Sequence, residues 1–164
     1  VARGVLGGLR LHLEVFRKGE PVGWGLRTLE DIPKGEIIME YCGEHCSRAT
    51  AESRVGAWPA TDVYLMEIGR RAVSLSGGFA IDALHARNVS AFANFGCCPN
   101  MKKEQMFAEH WDSRLPHAVF FATRDIRAGD ELTYRRDEAA TSGSRCRVSC
   151  VACLCGHQEC RKWV

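Results

Sequence analysis

The sequence predicts a mostly β domain with little helix, and three observations carry that prediction. Short apolar or alternating segments recur along the chain with turn residues between them. A connecting turn of the form D-I-x-x-G-[DE] occurs twice, at Asp31-Ile32-Pro33-Lys34-Gly35-Glu36 and at Asp125-Ile126-Arg127-Ala128-Gly129-Asp130. Only one stretch, an alanine-rich run after Ser47, reads as helix.

Taken in order, Leu11-His12-Leu13-Glu14-Val15-Phe16 alternates with a period of two, the pattern of a half-buried strand. Gly23-Trp24-Gly25 reads as a glycine-flanked turn before Leu26-Arg27-Thr28. The first D-I-x-x-G turn leads into an apolar strand at Ile37-Ile38-Met39-Glu40-Tyr41. Ser47 is suited to cap a short helix through Ala49, Ala51 and Arg54, because its hydroxyl can accept from an otherwise unpaired backbone amide. Residues 63–68 and 79–83 read as further strands, with Ser76-Gly77-Gly78 between them. Residues 89–93 lead into a cysteine-bearing segment, and residues 118–123 have a buried-strand pattern that runs into the second D-I-x-x-G turn. Leu132-Thr133-Tyr134 ends the core, and residues 138–144 are small and polar, as in a linker.

A chain of 164 residues is most economically one domain with one core. A net charge of +2 is too small to argue for nucleic-acid binding, and no direct nucleic-acid contact is expected of this segment. No apolar run approaches the ~20 residues that span a bilayer, and no secretory signal opens the chain, so no membrane partner is expected. The chain opens at Val1 without methionine, which suggests a segment of a longer protein.

Nine cysteines are many, and the odd number argues against a disulfide framework. Cys153-Leu154-Cys155 and Cys160 bring three thiols into eight residues, and C-x-C spacing suits a metal better than a strained disulfide. Zinc takes four ligands, so the fourth must come from elsewhere in the fold. Cys42, Cys46 and Cys98 read instead as small buried apolar residues. Cys150-Val151-Ala152-Cys153 also forms a C-x-x-C, so spacing alone leaves open a shifted ligand set that uses Cys150, with Cys146 close by.

These pieces, in this order, resemble the SET-domain protein lysine methyltransferases. The residues that carry the resemblance are Gly23-Trp24-Gly25, Glu40-Tyr41-Cys42-Gly43-Glu44, Tyr64-Leu65, Asn88-Val89, Asn94 with Cys97-Cys98-Pro99-Asn100, and Gly129-Asp130-Glu131-Leu132-Thr133-Tyr134. The tail through Cys160-Arg161-Lys162-Trp163 looks like the family's post-SET segment. Arg114-Leu115-Pro116 leading into residues 118–124, and Arg145-Cys146-Arg147-Val148, are most similar to the heterochromatin-type Su(var) group, which acts on lysine-9 of histone H3. The cysteine-rich pre-SET module usual in that group is absent from this chain.

The resemblance implies small β-sheets around a threaded, pseudo-knotted C-terminal segment. It divides the chain into an N-terminal flank (1–8), a SET domain (9–137), a linker (138–148) and a zinc-binding post-SET segment (149–164). It further implies S-adenosylmethionine as methyl donor, a histone tail as substrate and nuclear, chromatin-associated placement. By resemblance Gly23, Trp24 and Gly25 cradle the cofactor, Tyr64 contacts it, Asn94 bonds it, and the Phe95 backbone reads its adenine. Zinc takes Cys97, Cys153, Cys155 and Cys160, a closed structural site. Trp163 is placed to pack over the purine and wall the lysine channel. The histone tail is expected to lie extended beside the post-SET segment, because backbone hydrogen bonding suits a disordered substrate.

Three departures bear on activity. Asn94-Phe95-Gly96-Cys97 stands where the family has Asn-His-Ser-Cys, which changes two residues and adds backbone freedom at Gly96. Arg135-Arg136 follows Tyr134 where the family has Asp-Tyr, so Arg136 occupies the position of the catalytic tyrosine. Tyr134 matches the neighbouring position that limits how many methyl groups are added. It is also the one hydroxyl left to serve catalysis, and a tyrosine there favours lower methylation states.

A guanidinium has no acceptor and stays charged. Two like charges about 4 Å apart at an effective dielectric near 20 repel by about 4 kcal/mol, roughly a thousandfold in binding. If Arg136 points into the channel it opposes the lysine cation; if it points to solvent, Tyr134 is left to act. Three readings follow: a histone-lysine N-methyltransferase, possible at reduced activity; a catalytically inactive SET domain acting as a chromatin binding or scaffold module; and a methyltransferase of a non-histone lysine.

Overall fold

The computed structural model describes residues 8–57, 64–68, 79–107, 115–135 and 153–162. Among them are strands β1 (Leu13–Gly19), β2 (Gly23–Thr28), β3 (Ile37–Glu40) and β4 (Glu44–Ser47), then helix α1 (Arg48–Ala57). Strands β5 (Leu65–Ile68), β6 (Phe79–Asp82), β7 (Asn94–Phe95), β8 (Met101–Met106), β9 (His117–Ala122) and β10 (Thr133–Tyr134) follow, with a 3-10 turn at Val89–Phe92 before β7. They form three sheets, β1-β2, β3-β9-β8-β10-β7 and β4-β6-β5. No helix among the described residues is long and apolar enough to cross a membrane.

The expected β class is therefore observed, and so is the threading. Strand β10 is the last of the described strands but lies between β7 and β8 in its sheet. It runs parallel to both, with Thr133 opposite Asn94, Tyr134 opposite Phe95, and Tyr134 also opposite Met101. Parallel neighbours cannot be joined by a tight hairpin, so the chain must travel away and return between two strands already laid down.

The described residues fall into two compact units of interleaved segments. One is drawn from Met39–Ala91 and Lys103–Phe120. Its sheet pairs β6 antiparallel with β4 and β5, from Glu44 opposite Asp82 to Ser47 opposite Phe79, and from Leu65 opposite Asp82 to Ile68 opposite Phe79. The expected helix starts where the sequence indicates: the Thr50 amide donates to Ser47 Oγ at 3.2 Å, an N-cap bond. Ala51 of α1 packs with Cys46, Ala80 and Leu65. Asp82 is buried, and Arg54 answers it at 2.6 Å while also gripping Glu44 at 2.9 Å.

Gly43, just before β4, has no room for a side chain. A Cβ there would lie 2.5 Å from the Asp82 carbonyl oxygen and 2.7 Å from Ile81 Cγ2, and the first of these is backbone. Gly43→Ala is expected to cost about 1–3 kcal/mol through overpacking. A denaturant midpoint equal to that of the parent would refute this.

The second unit is drawn from Arg10–Ile38, Phe92–Lys102 and Phe121–Val164. Its hairpin pairs β1 with β2 from Leu13 opposite Thr28 to Gly19 opposite Gly23, with an irregularity between Arg17 and Gly19. This corrects the reading of Gly23-Trp24-Gly25 as a turn: those residues open β2 and are strand. Their cross-strand partners, Phe16 opposite Gly25 and Arg17 opposite Trp24, decide the conformation that the glycines left undetermined.

The two D-I-x-x-G turns embrace each other. Ile32 and Ile126 exchange backbone hydrogen bonds of 2.8 and 2.9 Å, and each is 1% exposed. Asp31 Oδ1 accepts from the Ala128 amide and Asp125 Oδ1 from the Lys34 amide, both at 2.8 Å. The Gly35 amide donates to the Ala122 carbonyl and the Gly129 amide to the Thr28 carbonyl, at 2.9 and 2.7 Å. Each contact of one copy has its counterpart in the other, so the repeated sequence builds a local two-fold lock that fixes the chain just before β3 and just before β10.

Strands β4 and β8 are among those that the sequence pattern does not announce. Strand β4 (Glu-His-Cys-Ser) and β8 (Met-Lys-Lys-Glu-Gln-Met) carry few apolar residues. Their sheet neighbours, not their own periodicity, make them strands.

Candidate active site and metal centre

The second unit brings most of the expected site residues together. Asn94 of β7 donates both amide hydrogens within the protein, to the Trp24 carbonyl at 3.0 Å and to Glu131 Oε1 at 2.9 Å. Glu131 is itself held by Lys18 Nζ at 2.6 and 2.8 Å. Asn94 thus ties β2 to the segment before β10, and its side-chain carbonyl remains as the acceptor for a ligand. Trp24 is 52% exposed, an open apolar surface beside this tie.

Gly25 is required by packing: a Cβ there would sit 2.9 Å from the Phe16 ring. Gly96 is also closely approached, though less tightly: a Cβ there would lie 3.1 Å from Thr133 Oγ1, which would have to give by a few tenths of an ångström. The Gly96 amide also donates to the Tyr134 carbonyl at 2.9 Å. The expected added freedom at Gly96 is therefore offset by a close approach to β10, which a serine side chain would crowd.

Tyr134 is buried at 6% exposure, and its ring meets Phe95 edge-on with centroids 5.0 Å apart. Phe95, in the place of the family's histidine, contributes a packed ring here. Beneath this pair Asn100, at 4% exposure, was quoted in the motif but not assigned a role from sequence. It donates to the Glu131 carbonyl at 2.8 Å and accepts from the Thr133 amide at 2.9 Å. Its own carbonyl accepts from the Thr123 amide at 2.9 Å. Glu131, Lys18 and Asn100 form the support that sequence reasoning missed. The only signal was the place of Asn100 in the Pro-Asn motif and of Glu131 in Gly-Asp-Glu; no motif marks Lys18.

The tail meets Cys97 as expected. The sulfurs of Cys97, Cys153, Cys155 and Cys160 all lie within 4.8 Å of one another. Cys97 Sγ is 3.5 Å from Cys153 Sγ and 3.8 Å from Cys160 Sγ. Sulfurs bound to zinc at about 2.3 Å in a tetrahedron stand about 3.8 Å apart, whereas a disulfide would need about 2.05 Å. All four thiols are free. The donor set fits zinc and closes its shell. Backbone amides of Arg161 and Lys162 donate to Cys97 Sγ and Cys160 Sγ at 3.3 and 3.4 Å, which favours thiolates. Burial raises Cys153 above the ordinary thiol range. Burial also opposes ionisation of Cys155, but backbone donors of Cys97 and His157 prevail and hold it at about 6.

Arg135, where the family has aspartate, donates to the Cys97 carbonyl at 3.0 Å. Zinc with four thiolates carries a formal charge of about −2, so a guanidinium beside it is electrostatically favourable. The departure that looks disruptive in sequence thus finds a partner at the metal centre.

Tyr64 belongs to the other unit. Its carbonyl accepts from the Tyr41 hydroxyl at 2.8 Å, and the Arg87 guanidinium lies 5.1 Å from its ring centroid. Burial first, then Asp82, keeps the Tyr41 phenol protonated well above the usual range, as a donor to that carbonyl requires. In the same unit Asn88 donates to the Glu40 carbonyl at 2.9 Å and to Cys42 Sγ at 3.3 Å.

Of the three cysteines expected to be buried, Cys46 is buried and Cys42 is half-buried, its thiol pushed up to about 11 by burial and Glu40. Cys98 is exposed, a correction: its neighbour Cys97 turns inward to the tail, and the chain cannot bury both side by side. The expectations for Trp163, Arg136, Cys146, Cys150 and the 138–148 linker lie outside the described residues.

The family profile described as "SET domain" matches residues 23–135. Arabidopsis thaliana SUVH6, named as a histone-lysine N-methyltransferase specific for H3 lysine-9, is 34% identical over 94% of this chain and 22% of its own length. Danio rerio SUV39H1-A, also named a histone-lysine N-methyltransferase, is 33% identical over 99% of this chain and 43% of its own length. The chain therefore spans less than half the length of these curated relatives. The crystal structure of Arabidopsis thaliana SUVH6 in complex with SAM is similar with a TM-score of 0.79 and 34% identity, covering 97% of this chain and 34% of that one. KRYPTONITE, crystallised with mCHH DNA, an H3(1-15) peptide and SAH, gives a TM-score of 0.71 and 33% identity, covering 94% of this chain and 30% of that one.

Proposed function

Because the chain belongs to the SET-domain family, we propose that it transfers a methyl group from S-adenosylmethionine to a lysine of a histone tail, foremost lysine-9 of histone H3. The observation that carries this reading is the convergence on one strand pair. Asn94 and Phe95 of β7 lie in register with Thr133 and Tyr134 of β10, and Cys97, two residues beyond, anchors the tail.

When bound, S-adenosylmethionine supplies a methyl group on a positively charged sulfur, open to in-line attack by a neutral amine. The chain's own residues would do the positioning, which carries much of the rate in such a displacement. Gly23, Trp24 and Gly25 would flank the cofactor. Asn94, its amide hydrogens already committed, would offer its carbonyl oxygen to the cofactor's ammonium. Phe95 would present backbone to the adenine, and Tyr64 and Trp163 would contact the cofactor as the family resemblance implies. Tyr134 would orient the lysine amine and leave room for few methyl groups. Zinc on Cys97, Cys153, Cys155 and Cys160 would play a structural role, since four thiolates leave no open position. In this reading the domain works on chromatin in the nucleus, with the histone tail extended beside the post-SET segment.

Arg136 supports a second reading, an inactive chromatin-binding module. Transfer of labelled methyl to histone H3 by the zinc-loaded parent and by Arg136→Tyr separates the two. Transfer by the parent, with Arg136→Tyr raising it about tenfold or more, is the expected result. Transfer seen only in the variant would make the parent a scaffold. A folded, zinc-loaded parent and variant that both fail on H3, but methylate another protein, would displace the histone assignment.

A further inference from the structure

The tail and the neighbour of Cys97 hold a second set of metal-ligating side chains that the four-cysteine cluster leaves unused. Cys98, His157 and Glu159 offer a sulfur, a ring nitrogen and a carboxylate oxygen, all within 4.8 Å of one another and all exposed. Cys98 Sγ lies 3.5 Å from His157 Nδ1. A thiolate and an imidazole bound to one zinc ion at about 2.3 and 2.0 Å with a tetrahedral angle between them stand about 3.5 Å apart. The pair is spaced as two ligands of one ion.

The backbone holds the set in place. Cys98 follows Cys97, while His157 and Glu159 lie between Cys155 and Cys160, so closing the first cluster also brings the second set together. The Cys160 amide donates to the His157 carbonyl at 3.0 Å, fixing the turn. The Glu159 amide donates to His157 Nδ1 at 3.1 Å, which makes Nδ1 the unprotonated nitrogen on the side facing Cys98. That contact is one an incoming ion would replace.

The geometry points to a second metal site, formed by Cys98, His157 and Glu159, that takes a borderline-soft divalent ion of the zinc class. A thiolate and an imidazole disfavour magnesium and calcium, which seek oxygen shells. Three protein ligands on an exposed surface leave the fourth position to water, as in open zinc sites. Binding would release the Cys98 proton to solvent. The site does not depend on the methyl-transfer reading, and it differs from the four-thiolate site in being open and more weakly held.

The test is equilibrium dialysis of the full chain against zinc, with bound metal counted by atomic absorption, for the parent, Cys98→Ser and His157→Ala. Two equivalents in the parent and one in each variant, all with unchanged circular dichroism, is the expected result. Cobalt added to protein already holding one zinc should give a near-ultraviolet thiolate band that Cys98→Ser abolishes. A parent that stops at one equivalent overturns this site alone. So does a second equivalent that persists in both variants. A parent that retains no zinc overturns both metal sites.

Discussion

Stripping zinc from the chain is expected to free the C-terminal tail and abolish methyl transfer, while leaving the β core folded. Three of the four thiols lie within residues 153–160 and the fourth is Cys97 in the middle of the chain, so the ion would close a loop of more than fifty residues. Structural zinc of this kind contributes on the order of 10–16 kcal/mol of apparent binding free energy at neutral pH, coupled to folding. Among the described residues of the tail, Leu154 is 49% exposed, and the Cys153 amide bonds inside the tail, to the Lys162 carbonyl. The core, by contrast, rests on Leu26, Ile32, Val119, Phe120, Ile126 and Leu132, each at most 1% exposed.

Chelation, or Cys160→Ser, should therefore expose the tail to limited proteolysis, with little change in the thermal transition of the rest. A tail that stays protected, with transfer undiminished after chelation, would defeat the zinc assignment.

Asn100→Ala is expected to be strongly destabilising, although it removes only a small polar side chain. The side chain joins the Glu131 carbonyl to the Thr133 amide and is almost fully buried. Alanine would leave both groups without that partner, at about 1–3 kcal/mol each. A loss of about 3 kcal/mol corresponds to roughly 10 °C in a chain of this size. Because those bonds seat β10, methyl transfer should fall further than stability alone explains. A variant with the parent's melting temperature would show that another group, or water, takes over both bonds.

Arg135 shows how the same residue looks in the two descriptions. In the sequence it is a departure from an aspartate. In the structure it donates to the carbonyl of Cys97, so its charge sits beside the cluster of thiols. Cys98 shows the reverse: a cysteine read as buried proves exposed and faces His157. Neither outcome was legible, because both depend on which way the chain turns at Cys97, and that turn is set by thiols more than fifty residues away. Asn94 is singled out by the motif, but which of its atoms are already engaged is shown only by its two donor bonds, to Trp24 and Glu131.

The sequence by itself determined the β class, the cap of α1 by Ser47, the strands β1, β3 and β9, the two matching turns and the metal-type spacing of the three tail thiols. These are local or compositional: alternation, capping chemistry and ligand type are written in neighbouring residues. The tertiary structure alone decided that Gly23-Trp24-Gly25 is strand, that polar β4 and β8 join sheets, and that the two turns clasp each other. It alone decided that β10 passes between β7 and β8 over a buried Asn100. Each of these is a pairing between segments distant in the chain, where a partner's hydrogen bonds and volume outweigh the preference of the segment itself.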